Sequence, residues 1–247
     1  MKHKIWTFSL AIISLLFFWQ LGSMALDKPF LPTPLASFQA FFQALATGEI
    51  NVHFGISAYR IFVSIVIAFV LAVPLGLFIG RSQFADKLLS PMIYVLYPLP
   101  KVVFLPIIVV LMGLGDLPKI FLITLVIFFQ IVVATRDSAK SIPYASLQSM
   151  RSLNASGWQI YRHLIFPYCL PQILSALRVS LGIAIAILFF AETFASTNGL
   201  GYYILDSMER RDYAFMYGGI IAMGLLGIIA YKIVDWIEGF ACRWQKY

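Results

Sequence analysis

The sequence predicts an all-α, polytopic membrane protein with about six transmembrane helices, the third of them broken by prolines. Hydrophobic residues make up 61% of the 247 residues and charged residues only 12%, a composition too apolar for a soluble domain. Several apolar runs are about 20 residues long, the length with which a helix crosses a roughly 30 Å hydrocarbon core. No long polar segment separates them, so we expect one membrane domain over residues 1–247.

The first apolar run, residues 5–26, follows Lys2 and Lys4. Lysines before an apolar run also begin secretory signals, and residues 23–25 resemble a small-residue cleavage site. The run is long for a signal core, however, and further apolar runs follow it. We therefore expect a first membrane helix that is retained.

Residues 27–56 contain a proline-rich stretch, PFLPTP, followed by LASFQAFFQAL. The prolines predict a turn, and the mixed apolar and polar pattern after them predicts a short amphipathic helix. We expect this helix to lie at the outer surface of the membrane. Four later runs predict complete crossings, at residues 57–79, 118–135, 168–193 and 213–237.

The third span, residues 90–115, is apolar throughout but contains Pro98, Pro100 and Pro106. Each proline removes a backbone donor and disfavours helix at the preceding residue, so we predict two half-helices joined at residues 97–100. Broken helices are tolerated at membrane depth where protein or a cavity covers the freed backbone groups. The break is therefore predicted to lie in the interior, on a solute path.

The distribution of Lys and Arg predicts a cytoplasmic amino terminus, because the positive residues then lie mostly inside. The inner residues are Lys2, Lys4, Arg81, Lys87, Arg136, Lys140, Arg151, Arg162, Lys232, Arg243 and Lys246. The outer ones are Lys28, Lys119, Arg210 and Arg211, with Arg60 at an outer helix end. The segment between the fourth and fifth spans, about residues 137–167, is then cytoplasmic.

This cytoplasmic segment contains PYASLQSMRSLNASGWQIY, residues 143–161. Its apolar residues fall near helical spacing, which predicts a short amphipathic helix, a turn at residues 154–157 and a second short helix. The pattern alone leaves two interpretations open. The segment either lies flat on the inner leaflet, with Trp158 among the lipid headgroups, or docks a cytoplasmic partner.

Two ionisable residues are predicted inside spans, Glu192 and Lys101. A charge at the bilayer centre costs about 2.5 to 3.5 kcal/mol on insertion scales. Glu192 is therefore expected either to face the path or to lie near the outer helix end, held by Thr193 or by the turn at residues 198–201. Lys101 is interpreted either as a cation for an anionic solute or as a lysine extending toward the inner headgroups. The candidate path residues are Tyr97, Pro98, Pro100, Lys101, Glu192 and Thr193.

Other classes of protein fit less well. The net charge of +7 comes from basic residues between apolar runs, whereas nucleic-acid binding needs a basic stripe with aromatic residues. The glycines at 113–115 and 199–201 follow no predicted strand, so they predict turns and not phosphate loops. Cys169 and Cys242 have no ligand spacing, and the histidines fall outside the predicted spans, which argues against a disulfide, a metal site or an intramembrane enzyme. A secondary carrier would need ionisable residues buried in several spans.

Residues 148–167 resemble the coupling loop of bacterial ABC importer permeases, whose pattern is Glu-Ala-Ala, three residues, Gly, nine residues, then Ile-x-Leu-Pro. Here QSM occupies residues 148–150, Asn154 stands at the glycine position, and LIFP occupies residues 164–167. Asn substitutes readily for Gly where φ is positive, so we predict a left-handed turn at Asn154.

The similarity extends from about residue 55 to 240. Residues 98–120 and 191–227 resemble the third span, and the region from the fifth span to the sixth, in the subfamily of permeases for taurine, aliphatic sulfonates, nitrate and related small solutes. The resemblance implies a type I ABC importer permease fold. Residues 1–55 would form the first span and outer loop, and residues 56–240 the permease core.

The resemblance also implies partners and a location. The chain would be a multi-pass subunit of the bacterial inner membrane, surrounded by lipid, paired with a second copy as a homodimer and supplied by a periplasmic or extracellular solute-binding protein. It would have no catalytic activity and bind no cofactor, because ATP and Mg²⁺ belong to a separate cytoplasmic ATPase. The expected solute is a sulfonate, taurine, nitrate or a similar anion; an uncharged heterocycle such as a pyrimidine precursor is the alternative.

The resemblance favours docking for residues 143–161. The residues it implies for ATPase coupling are Gln148, Ser149, Met150, Leu153, Asn154, Ala155, Ser156, Gly157 and Trp158, with Pro167 setting where the next span begins.

Overall fold

The first three helices lead from the first span to the second. In the computed structural model, which describes residues 2–246, they are α1 (Lys2–Leu26), α2 (Pro34–Thr47) and α3 (Glu49–Arg81). The predicted proline-rich turn precedes α2, where Thr33 Oγ1 accepts a hydrogen bond from the Ala36 backbone N–H, and Gly48, with φ of 81°, ends the helix. These are the usual start and stop signals of a helix.

The helices of the middle region are α4 (Gln83–Leu96), α5 (Leu105–Met112), α6 (Leu117–Lys140), α7 (Tyr144–Ser152) and α8 (Gly157–Ile160). A 3₁₀ turn, Lys101–Phe104, precedes α5, and a π-helical turn, Tyr161–Ile165, follows α8. The chain continues with α9 (Phe166–Thr193), α10 (Leu200–Glu209) and α11 (Tyr213–Ala241). Residues 2–246 contain no strand.

Within residues 2–246, five helices are long and apolar enough to cross a membrane, and a sixth candidate span is the pair of α4 and Lys101–Met112, bent by 80°. This confirms about six crossings with a broken third. Helix α4 ends at Leu96 and the 3₁₀ turn begins at Lys101, so the break falls at the predicted residues. Pro106 does not cut the second half-helix, because it lies in the first turn of α5, where its missing N–H has no helical partner to lose.

Helix α3 is longer than predicted, since it begins at Glu49 instead of residue 57. Glu49 is favourable in the first turn, where the helix dipole is positive. The prediction that the histidines lie outside the spans is therefore wrong for His53, which belongs to this helix, and for His163, which lies in the candidate span Gly157–Thr193. Hydropathy marks only the apolar part of a helix, and α3 continues past that part.

The described chain forms two compact units: residues up to Ser57 together with Glu192–Leu225, and Ala58–Ala191 together with the residues from Leu226 onward. In the second unit, α3 packs closely on α6. A Cβ added to Gly76 would lie 2.7 Å from Thr135 Cβ, and one on Gly80 would lie 2.6 Å from the Arg136 carbonyl oxygen. Only glycine allows this approach, as in other membrane helix pairs.

Three basic residues lie inside helices, and two of them, Arg60 and Lys119, were assigned elsewhere by the sequence. Arg60, expected at an outer helix end, is 3% exposed, and Lys119, expected in an outer loop, is 1% exposed. Arg178 lies in α9 and contacts carboxylates of α11. The expectation of only two ionisable residues inside spans is therefore wrong, because a hydropathy average over an apolar run hides single charges.

Candidate functional site

The segment between α6 and α9 has the predicted form of a short helix, a turn and a second short helix. Asn154 adopts a φ of 54°, which confirms the left-handed turn. Around it, the Asn154 N–H donates to the Arg151 carbonyl at 2.9 Å and the Ala155 N–H donates to the Met150 carbonyl at 3.1 Å. These bonds pair carbonyls that the end of α7 would otherwise leave open.

The second short helix is fixed by its own cap. Ser156 Oγ accepts a hydrogen bond from the Gln159 N–H at 3.3 Å, and Gln159 Oε1 accepts one from the Ser156 N–H at 2.7 Å. This reciprocal pair is a capping box. The turn is therefore held on both sides by local hydrogen bonds.

The sequence predicted that Pro167 sets the start of the fifth span, and this prediction is wrong. A continuous helical path runs from Gly157 to Thr193, and Pro167 is the second residue of α9. The π-helical turn before it, with the Phe166 N–H donating to the Tyr161 carbonyl, widens the helix. That widening accommodates a residue with no N–H and a bulky ring.

The apolar residues of this segment differ in exposure. Leu147 is buried within the chain at 7% exposure, whereas Leu153 and Trp158 are 78% and 70% exposed. Met150 is half-buried, and Gln148, Ser149, Ser156 and Gly157 are exposed. The segment therefore exposes two large apolar side chains beside its turn, and local hydrogen bonds hold the backbone of that turn.

A charge network joins α4 to α6 just before this segment. Arg136 Nε donates to Asp86 Oδ1 at 2.7 Å, and Arg136 Nη1 donates to Tyr94 Oη at 2.9 Å. Lys140 Nζ lies 2.7 Å from Asp86 Oδ2. The first half of the broken span is thus tied to the helix that leads into the segment.

At the proline break, the Lys101 ammonium bends back onto the end of α4. It donates to the Tyr97 carbonyl, and its Nζ lies 4.9 Å from the Phe129 ring centroid and 5.5 Å from that of Tyr97. Tyr97 Oη donates to Gln130 Oε1 at 2.8 Å. Pro98 is exposed in the break, and Pro100 has the extended φ and ψ of −73° and 92°.

Glu192 lies in the first unit and is fully buried. Its carboxylate is 2.8 and 2.9 Å from Ser57 Oγ, and its Oε2 accepts a hydrogen bond from the Gly201 N–H at 2.9 Å. Ser57 Oγ in turn accepts one from the Leu200 N–H at 2.8 Å. Glu192 therefore contacts the turn at residues 198–201, in agreement with the interpretation that this turn holds it near the outer helix end. Thr193, half-buried, is the last residue of α9.

His53 extends this group, because its Nδ1 accepts a hydrogen bond from the Gly199 N–H at 3.1 Å. Three consecutive backbone donors, at residues 199–201, thus find acceptors on α3 and α9. The ring of Tyr203 lies 5.4 Å from that of His53. Burial, together with the nearby Glu49 carboxylate, raises the pKa of Tyr203 to about 12, so this phenol stays neutral at physiological pH.

The sequence did not indicate Ser57, which contacts Glu192, or His53, which accepts from Gly199. It also did not indicate Phe129, which contacts Lys101, or Gln130, which accepts from Tyr97. A weak signal existed for Gln130, because it is the one amide in the apolar run of residues 117–134. The Tyr97 and Glu192 groups belong to different compact units, and each is a local site of its own unit.

A bent, polar break in an otherwise apolar helix has no use in a simple membrane anchor, and it is typical of proteins that move solutes. The fold and the break therefore define a multi-pass membrane transport component. Residues 72–241 match the family described as binding-protein-dependent transport system inner membrane component, and the chain belongs to that family.

Curated relatives agree over most of their length. The chain is 29% identical to the taurine transport system permease protein of Escherichia coli, covering 85% of this chain and 79% of the relative. It is 30% identical to a putative aliphatic sulfonates transport permease protein of E. coli, covering 92% and 87%. It is 23% identical to the formylaminopyrimidine transport permease protein of Halalkalibacterium halodurans, covering 96% and 95%.

Among solved structures, the chain matches an inward-facing conformation of the MetNI methionine ABC transporter with a TM-score of 0.62 and 19% identity, covering 75% of this chain and 93% of the other. This similarity establishes the fold of an ABC importer permease.

Proposed function

We propose that this chain is the membrane subunit of an ATP-driven importer for a small organic oxyanion of the sulfonate class. Two copies would form the path, an outer solute-binding protein would deliver the solute, and a cytoplasmic ATPase would drive the cycle. The relatives named for taurine and aliphatic sulfonates, each covering most of both chains, support the solute class. The excess of Lys and Arg in the segments assigned to the inner side supports a cytoplasmic amino terminus in a bacterial inner membrane.

The observation that carries the coupling proposal is the exposed pair of Leu153 and Trp158. A segment that rested on lipid would not need a backbone turn fixed at both sides, whereas a docking element must keep its shape under load. Exposed large apolar groups on a rigid helix and turn are typical of protein interfaces. We assign this surface, with Gln148, Ser149, Met150 and residues 154–157 around it, to the ATPase.

The same geometry suggests how a pull on this surface reaches the path. The segment is continuous with α6 on one side and α9 on the other, and Arg136 and Lys140 tie α6 to Asp86 on α4. A displacement of the segment would move α6, and with it the half-helix that ends at Tyr97. About 5.5 kcal/mol of differential binding shifts a two-state carrier from 1:99 to 99:1, an amount that nucleotide bound between two ATPases can supply.

In this proposal, Tyr97, Pro98, Pro100 and Lys101 line the path at the break. Glu192 and Thr193 contribute by holding the entrance to α10 in place. An uncharged heterocycle is the second candidate solute. It is favoured by the similarity to the formylaminopyrimidine permease, but that relative is only 23% identical, so we rank it below the oxyanion.

The coupling proposal is tested by Leu153→Asp in the complete transporter, reconstituted in proteoliposomes. A carboxylate placed in an apolar interface loses its hydration, so we expect ATP-dependent uptake to fall by about tenfold or more. The amount of ATPase co-purified with the permease should fall as well.

The matched control is Leu114→Asp, which makes the same change at a leucine that is 76% exposed in the turn before α6. That variant should keep both uptake and ATPase binding. Undiminished uptake by Leu153→Asp would show that this surface does not dock the ATPase.

A further inference from the structure

Three arginines inside the second unit each contact a carboxylate. Arg60 lies 2.6 Å from Asp116, Arg136 lies 2.7 Å from Asp86, and Arg178 lies 3.0 Å from Asp235. A cation in an apolar environment needs such a partner, because its desolvation is otherwise costly. Pairing with carboxylates is thus how this unit neutralises these embedded positive charges.

Lys101 is held differently. Among the side chains that the structure describes, no carboxylate forms an ion pair with its Nζ; its contacts are the Tyr97 carbonyl and two aromatic rings. An ammonium has three N–H donors, and the carbonyl accepts only one. Aromatic faces compensate part of the charge, but two N–H groups and a net positive charge stay available at the break.

The neighbouring polar group also offers donors. Gln130 Oε1 already accepts the Tyr97 hydroxyl proton, and within the described residues the Gln130 amide nitrogen has no hydrogen-bond partner. Tyr97 contacts both side chains, because its carbonyl accepts a hydrogen bond from the Lys101 ammonium and its hydroxyl donates one to Gln130. A positive charge with unused N–H donors and an amide donor on the same tyrosine fit an oxyanion, since charge-assisted N–H···O⁻ bonds are the strong ones.

The geometry points to Lys101 and Gln130 as the recognition site for the anionic head group of the transported solute, at the break of the third span. This inference rests on the proposed function and gives it a solute charge and a place. A sulfonate or carboxylate would take the position that a carboxylate side chain takes beside the arginines. An uncharged solute would bring no negative charge to pair with the Lys101 ammonium.

The test measures ATP-dependent uptake of radiolabelled taurine and ethanesulfonate by the complete reconstituted transporter. Losing one charge-assisted hydrogen bond costs about 1.5 to 3 kcal/mol, which corresponds to a fall of about 10- to 150-fold in uptake kcat/KM for Lys101→Gln. Lys101→Arg keeps the positive charge and should stay within a few-fold of the wild type. The control, Lys87→Gln, makes the same change at an exposed lysine of α4 and should leave uptake unchanged.

A second variant covers the case in which Lys101→Gln does not assemble. Gln130→Glu is nearly isosteric, replaces the amide donor by a carboxylate and adds a negative charge to the proposed site. It should repel an anionic head group and lower sulfonate uptake by about tenfold or more. Its assembly is checked by the amount of permease and ATPase per vesicle.

The outcomes separate the two proposals. If the wild type takes up neither sulfonate, the proposed solute class is wrong and the inference with it. If the wild type takes up a sulfonate but Lys101→Gln or Gln130→Glu does so equally well, the inference alone is overturned. Equal loss in Lys101→Arg and Lys101→Gln would also overturn it, because the charge would then not be what matters.

Discussion

Glu192 and Lys101 are both ionisable side chains in apolar helices, yet the chain treats them in opposite ways. Glu192 is fully buried, and its carboxylate contacts the Ser57 hydroxyl, 135 residues away in the chain, and the Gly201 backbone N–H. Lys101 is half-buried, and among the described residues it contacts a carbonyl of its own span and two rings, with no carboxylate in an ion pair. The Glu192 carboxylate is bound by protein groups, whereas the Lys101 ammonium keeps N–H donors that can bind a transported solute.

The difference distinguishes a structural charge from a functional one. Buried polar groups that are fully paired specify one arrangement of the chain and are costly to disturb. A partly satisfied group costs stability and persists where function needs it. We therefore expect changes at Glu192 to act on folding and changes at the break to act mainly on transport.

The largest effect on stability is expected for Glu192→Ala. It removes the acceptor for the Gly201 N–H and the partner of Ser57, leaving buried donors unpaired at a cost of about 2 to 4 kcal/mol. The midpoint of thermal unfolding in detergent should fall by about 5 °C or more. Glu209→Ala, which removes an exposed carboxylate at the end of α10, is the control and should shift it little. An unchanged midpoint of thermal unfolding for Glu192→Ala would show that Glu192 does not stabilise the fold.

Ser57→Ala should have a smaller effect of the same kind. The carboxylate keeps its bond to Gly201, but the Leu200 N–H and one carboxylate oxygen lose the hydroxyl, which costs about 1 to 2 kcal/mol. Ser14→Ala is the matched control, because Ser14 is exposed and bonds only a carbonyl of its own helix. If Ser57→Ala matched Glu192→Ala in unfolding midpoint, the hydroxyl and not the carboxylate would be the centre of the group.

The features predicted correctly from the sequence are those with local causes. Two prolines within three residues end a helix wherever they occur, so the break at Tyr97–Pro100 followed from the chain itself. The turn at Asn154 followed from the φ that asparagine tolerates. The spans followed from length and hydropathy, although their ends did not, since Glu49 begins α3 in a polar stretch.

The features that were missed depend on partners distant in sequence. Ser57 and Glu192 are 135 residues apart, and Arg178 meets Asp235 across 57 residues. No local pattern marks such a pair, because each residue alone is one polar position in an apolar run. For the same reason the sequence does not indicate a role for Gln130, whereas the fold places it beside Tyr97.

The smallest effect on stability and the clearest separation of the two regions are expected for Pro100→Ala. Alanine restores a backbone donor and relieves Leu99 of the restriction that precedes a proline, so the third span can straighten. The Lys101 ammonium would then leave the Tyr97 carbonyl and Phe129. We expect the unfolding midpoint to change by less than about 2 °C, while uptake changes by about threefold or more.

Pro91→Ala is the control for this variant, since Pro91 lies within α4, which continues past it, and no break depends on it. Unchanged uptake in Pro100→Ala would show that the break is not part of the solute path. A fall in the unfolding midpoint as large as that of Glu192→Ala would mean that the break is a structural element like the Glu192 group. The contrast between the two regions holds only if Glu192→Ala lowers the unfolding midpoint and Pro100→Ala changes uptake.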